Sequence, residues 1–174
     1  SHFLLGSILL GQKKLQEAEL PLRKTIELKP DFFQAHLNLE AVLKDLGQLQ
    51  EAEVSIRKAI EIKPDYVEAH SNLGLILNDL GKLQEAELSA RQAIELNPNL
   101  FNSHFLLANI LLAQKKFHEA EQPLRKTIEL NPDFFQAHLN LGAVLKDLGR
   151  LQEAELSTRK SIELKPNLFN SHFL

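Results

Sequence analysis

Histidines recur at a fixed spacing along the chain, and imidazole is a side chain that can bind metals and transfer protons. They stand 34 residues apart, at His2, His36, His70, His104, His138 and His172. Residues repeated at this distance fall in successive structural units, and packed helices lie ~8–10 Å apart. Because zinc needs ligands at ~2.0–2.1 Å, equivalent histidines are too far apart to share an ion. We predict half-buried rings with local hydrogen bonds and no metal site.

The other polar residues show no catalytic pattern. The chain has no Ser/His/Asp arrangement with supporting turns, no glycine-rich phosphate loop and no His-Glu-x-x-His run. It has no cysteine, which excludes thiolate nucleophiles, disulfides and cysteine-based metal sites. Titratable groups repeat with the chain's own period, as architectural residues do. We therefore predict that this chain is not an enzyme and needs no cofactor.

Composition also limits the class of partner. The formal net charge is −3 and the isoelectric point is about 6.2. Nucleic acids and anionic membranes attract basic surfaces, so this balance argues against both. No apolar run approaches the ~20 residues that span a bilayer, and no signal peptide is visible. Together with the absence of cysteine, these features favour a cytoplasmic location.

The elements that carry these residues are indicated by prolines with the same period. They are Pro30, Pro64, Pro98, Pro132 and Pro166. A fixed period of this length is typical of a tandem array of helical units in which each unit packs on its neighbours. The first and last four residues are both Ser-His-Phe-Leu, in the same register. We expect the chain to be a piece of a longer array.

Residues 30–63 illustrate one unit. Apolar residues at a spacing of three and four predict a first helix ending near Asp45 and a second helix from about Leu49 to Ile62. Gly47 lies between them and suits the left-handed conformation that ends a helix. The spacing of Asp31 and Gln34 predicts a capping box, and the same spacing occurs in Asp65/Glu68 and Asp133/Gln136.

Several letters of this pattern are those of a known family. Asn72-Leu73-Gly74, followed by Gly81, Ala86, Ala93 and Pro98, resembles the tetratricopeptide repeat, a helix–turn–helix unit of the same length. The resemblance covers the whole chain. Two features depart from it: histidine stands where a bulky aromatic residue is usual, and Lys13 and Lys115 replace the turn glycine.

The resemblance implies an all-α, right-handed superhelical solenoid of antiparallel helix hairpins. It divides the chain into a near-complete first repeat at 1–29, repeats at 30–63, 64–97, 98–131 and 132–165, and the start of a sixth at 166–174.

The resemblance also implies a binding site. In arrays similar to the arm of the O-linked N-acetylglucosamine transferase, asparagines at the register of Asn38, Asn72 and Asn140 line the concave face and grip a peptide backbone. A primary amide suits this role because it both donates and accepts hydrogen bonds. Leu4, Leu106 and Leu174 take this register in the other units. The same face is expected to carry further contacts from Phe3, Leu37, Phe105, Asn78, Asn109, Lys44 and Lys146.

Other tetratricopeptide domains clamp a terminal carboxylate with Lys, Asn and Arg on the inner helix. Here Phe3, Leu37, Phe105 and Leu139 fill the corresponding places. We therefore predict no carboxylate clamp. Repeated apolar groups at these sites favour a partner with bulky side chains, although Phe3 and Phe105 could instead pack on adjacent helices.

Three further features lead to expectations. Glu-Arg-Glu triplets with members four apart recur in every second helix, beginning with Glu19, Arg23 and Glu27, and predict a solvated face. Pro21 and Pro123 fall inside second helices, where proline costs least within the first two turns. Glu40 stands where its equivalents are Gly6, Gly74, Ala108 and Gly142. Because an unpaired buried carboxylate is costly, Glu40 should reach solvent or a cation.

The sequence thus predicts a scaffold that binds an extended peptide or protein segment on the concave face. Two alternatives remain: a segment that self-assembles head to tail through uncapped apolar ends, and a substrate-presenting arm of a larger glycosyltransferase-type protein. An RNA-reading helical repeat is disfavoured by the acidic balance.

Overall fold

The computed structural model describes residues 1–166, and these residues form helices and short connections. The predicted start of a sixth repeat, including His172 and Leu174, lies outside the described residues except for Pro166. The helices of the described part are α1 (His2–Gly11), α2 (Leu15–Leu28), α3 (Phe33–Asp45), α4 (Leu49–Ile62), α5 (Val67–Asp79), α6 (Leu83–Leu96), α7 (Phe101–Ala113), α8 (Phe117–Leu130), α9 (Phe135–Asp147) and α10 (Leu151–Leu164).

The chain divides into two compact units, Ser1–Leu96 (unit 1) and Asn97–Leu174 (unit 2). Unit 1 contains α1–α6 and unit 2 contains α7–α10. Within each unit, the first helix of a hairpin packs against its own second helix, and that second helix packs against the next first helix. The all-α hairpin-repeat fold that the sequence predicts is confirmed.

Small and branched apolar residues form the buried seam of each hairpin. In the second hairpin, Ala35, Leu43, Ala52 and Ile56 are buried at the contact between α3 and α4. Alanines at these contacts let helix axes approach closely, and leucine or isoleucine fills the remaining space. The apolar residues that recur at a spacing of three and four in the sequence are therefore the ones buried between the helices.

The turns inside the hairpins need a left-handed backbone. Gly47, Gly81 and Gly149 have φ values of 77°, 74° and 77°, as predicted. Lys13 and Lys115 take the same conformation at φ 59° and 60°. A side chain makes this region costly, so the two lysine turns hold backbone strain that the glycine turns do not.

Helix starts differ from the capping-box prediction, which is wrong. Phe32, Tyr66 and Phe134 stand at the N-caps of α3, α5 and α9, and none of them makes a side-chain cap hydrogen bond. The aromatic rings of Phe32 and Phe134 pack on other rings instead.

The helix-interior prolines lie where the sequence predicts. Pro21 and Pro123 are each the seventh residue of their helix, within the second turn, and both are buried. Thr25 Oγ1 donates to Pro21 O and Thr127 Oγ1 to Pro123 O, each at 2.8 Å. Both helices continue through the proline.

Candidate functional site

Three asparagines share one register on the first helices, and we call them the asparagine ladder: Asn38 on α3, Asn72 on α5 and Asn140 on α9. All three side chains are partly exposed. Asn38 and Asn72 belong to unit 1 and Asn140 to unit 2. This register is therefore accessible to solvent within each unit.

The ladder amides are held from the preceding first helix of the same unit. Asn38 Nδ2 donates to Ser7 Oγ at 2.9 Å, and Asn140 Nδ2 donates to Asn109 Oδ1 at 2.9 Å. A primary amide has two N–H groups and an acceptor oxygen. Among the described residues each of these two amides makes this one hydrogen bond, which leaves its Oδ1 and one N–H for other partners.

Glu40 holds the third amide. Its carboxylate is 1% exposed. Asn72 Nδ2 donates to its Oε2 at 3.1 Å. Lys44 Nζ lies 3.4 Å from its Oε1. The sequence predicts that this carboxylate reaches solvent or a cation, and the structure shows the cation.

The electrostatic environment of Glu40 is unfavourable to its charge. Burial raises the pKa of the Glu40 carboxyl, and Lys44 and the bond from Asn72 offset this only in part. Asp45 on the same helix adds to the raising effect. Within residues 1–166, Glu40 Oε1 is buried without a hydrogen bond. The rest of the fold must therefore supply the free energy that burying this carboxylate costs.

The predicted apolar contacts Phe3 and Phe105 connect consecutive hairpins. The Phe3 ring centroid lies 4.6 Å from that of Phe32, and the Phe105 centroid lies 4.8 Å from that of Phe134. Such tilted and edge-to-face pairs are favourable geometries for aromatic rings. Both Phe3 and Phe105 remain partly exposed, so they combine packing with a face open to a ligand.

The other predicted contacts are accessible to different extents. Leu37 is half-buried, and Asn78 Nδ2 donates to Asp79 Oδ1 at 3.4 Å. Lys146 is exposed and lines an open groove of about 560 Å³ beside Leu139. The predicted residues thus divide between the two units: Phe3, Leu37, Asn38, Lys44, Asn72 and Asn78 in unit 1, and Phe105, Asn109, Asn140 and Lys146 in unit 2.

Models of known families match most of these hairpins. Models described as "Tetratricopeptide repeat" match residues 67–100 and 105–168, and one described as "TPR repeat" matches residues 41–81. The chain belongs to the tetratricopeptide repeat family. No curated protein sequence matches it.

Solved structures share this tetratricopeptide fold. A crystal structure of MamA has a TM-score of 0.89 and 21% identity, with 95% of this chain and 96% of that chain covered. MamA from Desulfovibrio magneticus RS-1 has a TM-score of 0.89 and 17% identity, covering 95% and 93%. YrrB, described as a TPR protein with an unusual peptide-binding site, has a TM-score of 0.84 and 21% identity, covering 95% and 86%. At these identities the likeness shows the fold.

The tetratricopeptide histidines have a structural role. His36 Nε2 lies 2.8 Å from the Pro30 carbonyl oxygen, and His138 Nε2 lies 2.8 Å from that of Pro132. The same contact recurs at His70–Pro64 and His104–Pro98. Because a carbonyl only accepts, the ring donates its Nε2–H. The predicted local hydrogen bonds are confirmed for these four rings, and residues 1–166 contain no cluster of three or more metal-ligating side chains.

Charges on the second helices join neighbouring tetratricopeptide hairpins, which the sequence analysis missed. Arg57 pairs with Glu53 of its own helix at 2.9 Å and with Glu85 of α6 at 2.5 Å. Lys82 pairs with Glu53 at 2.7 Å. Burial would raise the pKa of Glu53, but hydrogen bonds from Lys82 and Arg57 lower it overall. The sequence pattern that could have predicted these pairs is an arginine followed 28 residues later by a glutamate. The same spacing joins Arg125 to Glu153 in unit 2.

No helix in the described part of the chain is both long enough and apolar enough to cross a bilayer.

Proposed function

We propose that this tetratricopeptide array binds an extended segment of another protein and that the asparagine ladder grips the backbone of that segment. Membership of the family supports a protein-interaction scaffold. The observation that carries the finer claim is the oriented amide. Within residues 1–166, Asn38, Asn72 and Asn140 each donate one N–H to the preceding first helix and retain an oxygen and an N–H. A peptide backbone offers the matching N–H and C=O groups whatever its side chains.

Side-chain selectivity would come from neighbouring groups on the concave face. Phe3, Leu37 and Phe105 would offer apolar contacts, because all three are partly exposed. Asn78, Asn109, Lys44 and Lys146 would supply polar and positive contacts. The ligand is then an extended segment with bulky apolar side chains rather than a free terminal carboxylate.

The proposal excludes other classes of partner. The acidic balance of the chain disfavours nucleic acid and anionic membrane, and repeats of this family are in general noncatalytic. We keep the repeat boundaries 1–29, 30–63, 64–97, 98–131, 132–165 and 166–174, and the cytoplasmic location, as predictions of the sequence.

A peptide array tests the ladder directly. The wild-type chain is compared with the Asn38→Ala/Asn72→Ala/Asn140→Ala variant for binding to immobilised short peptides of varied sequence. The matched control replaces amides on exposed positions of second helices, Gln16→Ala/Gln50→Ala/Gln152→Ala. Far-ultraviolet circular dichroism checks that every variant keeps its helix content.

Broad binding by the wild type and the control, with loss in the ladder variant, supports the proposal. Equal binding by all three proteins contradicts the ladder and moves the site to the apolar contacts around Phe3 and Phe105. Absence of binding by every protein contradicts peptide recognition on this face.

Self-assembly is a second candidate, and exposed apolar surface favours it. On α1, Leu4 and Leu5 are 59% and 51% exposed. The groove between α9 and α10 includes Leu151 and Ile162, which are 66% and 41% exposed. Arg125 and Glu153 pair at 2.9 Å inside unit 2. Suppose that α1 of another copy packed in this groove and continued the repeat. Arg159 would then take the place of Arg125, and Glu17 of the other copy would take the place of Glu153, so the two side chains would pair.

Charge swapping tests this candidate. Sedimentation velocity should show association that rises with concentration, is lost in Arg159→Glu, and returns when Arg159→Glu is mixed with Glu17→Arg. A single monomer species at all concentrations contradicts self-assembly.

A further inference from the structure

Each ladder asparagine has a dedicated acceptor in the first helix before it. The acceptors of Asn38 and Asn140 are Ser7 and Asn109, each 31 residues earlier. The residue 31 before Asn72 is Ala41, which has no side-chain oxygen. The adjacent residue Glu40 takes over, 32 residues before Asn72, and accepts at 3.1 Å.

The sequence follows the same rule where the ladder is interrupted. Leucine replaces asparagine at Leu106 and Leu174, and the residues 31 positions earlier are Leu75 and Ala143. The residues 32 positions earlier, 74 and 142, are glycines. A side-chain acceptor therefore occurs at this register only where an asparagine follows it, which ties Glu40 to Asn72 rather than to the hairpin in general.

Glu40 differs from the other two acceptors in its chemistry. An amide can either donate or accept, so Asn109 can turn over together with its partner amide. The Ser7 hydroxyl donates to Phe3 O at 2.9 Å, but it can rotate and donate to an amide oxygen of Asn38 instead. An ionised carboxylate only accepts. Lys44 Nζ, at 3.4 Å from Oε1, favours the ionised form. Burial acts against ionisation and raises the pKa of the Glu40 carboxyl. Once ionised, Glu40 dictates that the NH₂ group of Asn72 faces α3.

Burial makes this constraint strong. Glu40 is 1% exposed, so water cannot readily replace the Asn72 N–H as a partner. The charged groups that act on it are Lys44 and Asp45 of its own helix, and from α5 the contacting group is Asn72. Turning the amide over would place two acceptor oxygens against each other.

We propose that Glu40 is a positioning residue that fixes Asn72 with its Oδ1 toward the ligand, so that this rung requires a hydrogen-bond donor, the backbone N–H of an extended segment. The inference rests on the proposed peptide grip. The inference restricts which peptides can bind. A segment with proline or another tertiary amide opposite Asn72 is rejected, while the positions opposite Asn38 and Asn140 tolerate it.

The first arm of the test uses the free, isotopically labelled chain and no peptide. The side-chain amide resonances of Asn72 should titrate with pH as Glu40 ionises, and those of Asn38 and Asn140 should not follow. In Glu40→Gln, which offers both a donor and an acceptor, the Asn72 titration should vanish. Asn72 resonances that ignore pH, or that titrate unchanged in Glu40→Gln, overturn the proposal.

The second arm measures the direction of the ligand's hydrogen bond. A peptide that binds the wild-type chain on the array is resynthesised with one backbone nitrogen methylated at a time. One position should lose affinity about tenfold, which corresponds to a single hydrogen bond of ~1.4 kcal/mol. Glu40→Gly, which restores the residue of the sister hairpins, should reduce that loss to less than about threefold, and Ser7→Ala should leave it unchanged.

The outcomes separate the two proposals. If the triple ladder variant loses binding but Glu40→Gly keeps the full methylation penalty, the ladder stands and the role of Glu40 is overturned. If the triple variant binds like the wild type, or no peptide binds, the proposed function and this ligand requirement fall together, and the first arm still reports whether Glu40 orients Asn72.

Discussion

Hairpins α3–α4 and α9–α10 are near copies of each other in different units, and they differ in what stands at the centre of the helix contact. Residues 30–63 and 132–165 are identical except at the pairs Glu40/Gly142, Gln48/Arg150, Val54/Leu156, Ile56/Thr158, Ala59/Ser161 and Ile62/Leu164. Both carry a ladder asparagine, Asn38 and Asn140. The residues that the two hairpins share are sufficient for the common fold, so the differing residues show which side chains can change without changing that fold.

The central difference couples two positions. A Cβ atom at Gly142 would lie 2.4 Å from Thr158 Oγ1, which donates to Ala154 O at 2.8 Å. In α3–α4 the equivalent pair is Glu40 and Ile56, and the Glu40 carboxylate turns toward Asn72 of the next first helix. In α9–α10 this position allows close packing of the helices, and in α3–α4 its side chain accepts a hydrogen bond from Asn72 of the next first helix.

The largest effect is expected when hairpin α9–α10 is made to resemble hairpin α3–α4. Gly142→Glu should lower the free energy of unfolding by about 3 kcal/mol, because a Cβ atom there would lie 2.4 Å from Thr158 Oγ1 and the helix contact must open to admit the longer side chain. Urea denaturation measures the change. Ala143→Glu, at an exposed neighbour, is the control and should have little effect. Equal stability of the two variants would show that the helix contact is not tight.

The second largest effect is expected in the pH dependence of stability, which should differ between the two hairpins. Glu40 holds its proton more tightly when folded, because burial raises its pKa above the unfolded value despite Lys44 and Asn72. Its contribution to stability is therefore fully present below the ordinary carboxyl pKa and is lost as pH rises through the raised one. Glu40→Gln should remove this decline, while Glu68→Gln on the exposed start of α5 should not. Parallel pH curves for wild type and Glu40→Gln would contradict the assignment.

A buried hydroxyl in α10 gives a smaller effect. Ser161 is fully buried, and its Oγ has no hydrogen-bond partner within the described residues. Its equivalent in α4 is Ala59. Ser161→Ala should raise the free energy of unfolding by about 1 kcal/mol, since it removes an unsatisfied polar group. Ser157→Ala, at a partly exposed position, serves as the control in the same thermal melts. A loss of stability in Ser161→Ala would mean that the hydroxyl has a partner.

The turns give the smallest effect. α9–α10 turns at Gly149, with φ 77°, while α7–α8 turns at Lys115, with φ 60°. Lys115→Gly should stabilise by about 0.5–1 kcal/mol, because release from the left-handed penalty exceeds the extra backbone entropy of glycine. The reciprocal change Gly149→Lys should destabilise by a similar amount. Denaturation midpoints that do not move in opposite directions would refute this account of the turns.

The fold could be predicted almost fully from the sequence, because each of its signals is local. The spacing of prolines and glycines marks the hairpin ends, and the expected bounds of α3 and α4 near Asp45, Leu49 and Ile62 agree with the structure. The capping boxes failed because Phe32 takes the N-cap and packs its ring on Phe3. Tertiary packing there outweighed the local preference of Asp31.

The candidate site could be predicted only in part. The register of the ladder is readable because asparagine recurs there, but its acceptors are not: Ser7 and Asn109 lie 31 residues away, and contact at that distance depends on how first helices pack. Glu40 was recognisable as an exception, and its burial next to Lys44 follows from the requirement for a counter-charge. Its bond to Asn72 needed the structure.

One measurement tests the central claim most directly. A nitrogen–proton correlation spectrum of the labelled chain is recorded while an array-selected peptide is added. The account predicts that the side-chain amide resonances of Asn38, Asn72 and Asn140 shift together and saturate with one affinity, while those of Gln16, Gln50 and Gln152 stay fixed. Saturable binding that leaves the three ladder amides unmoved would contradict it.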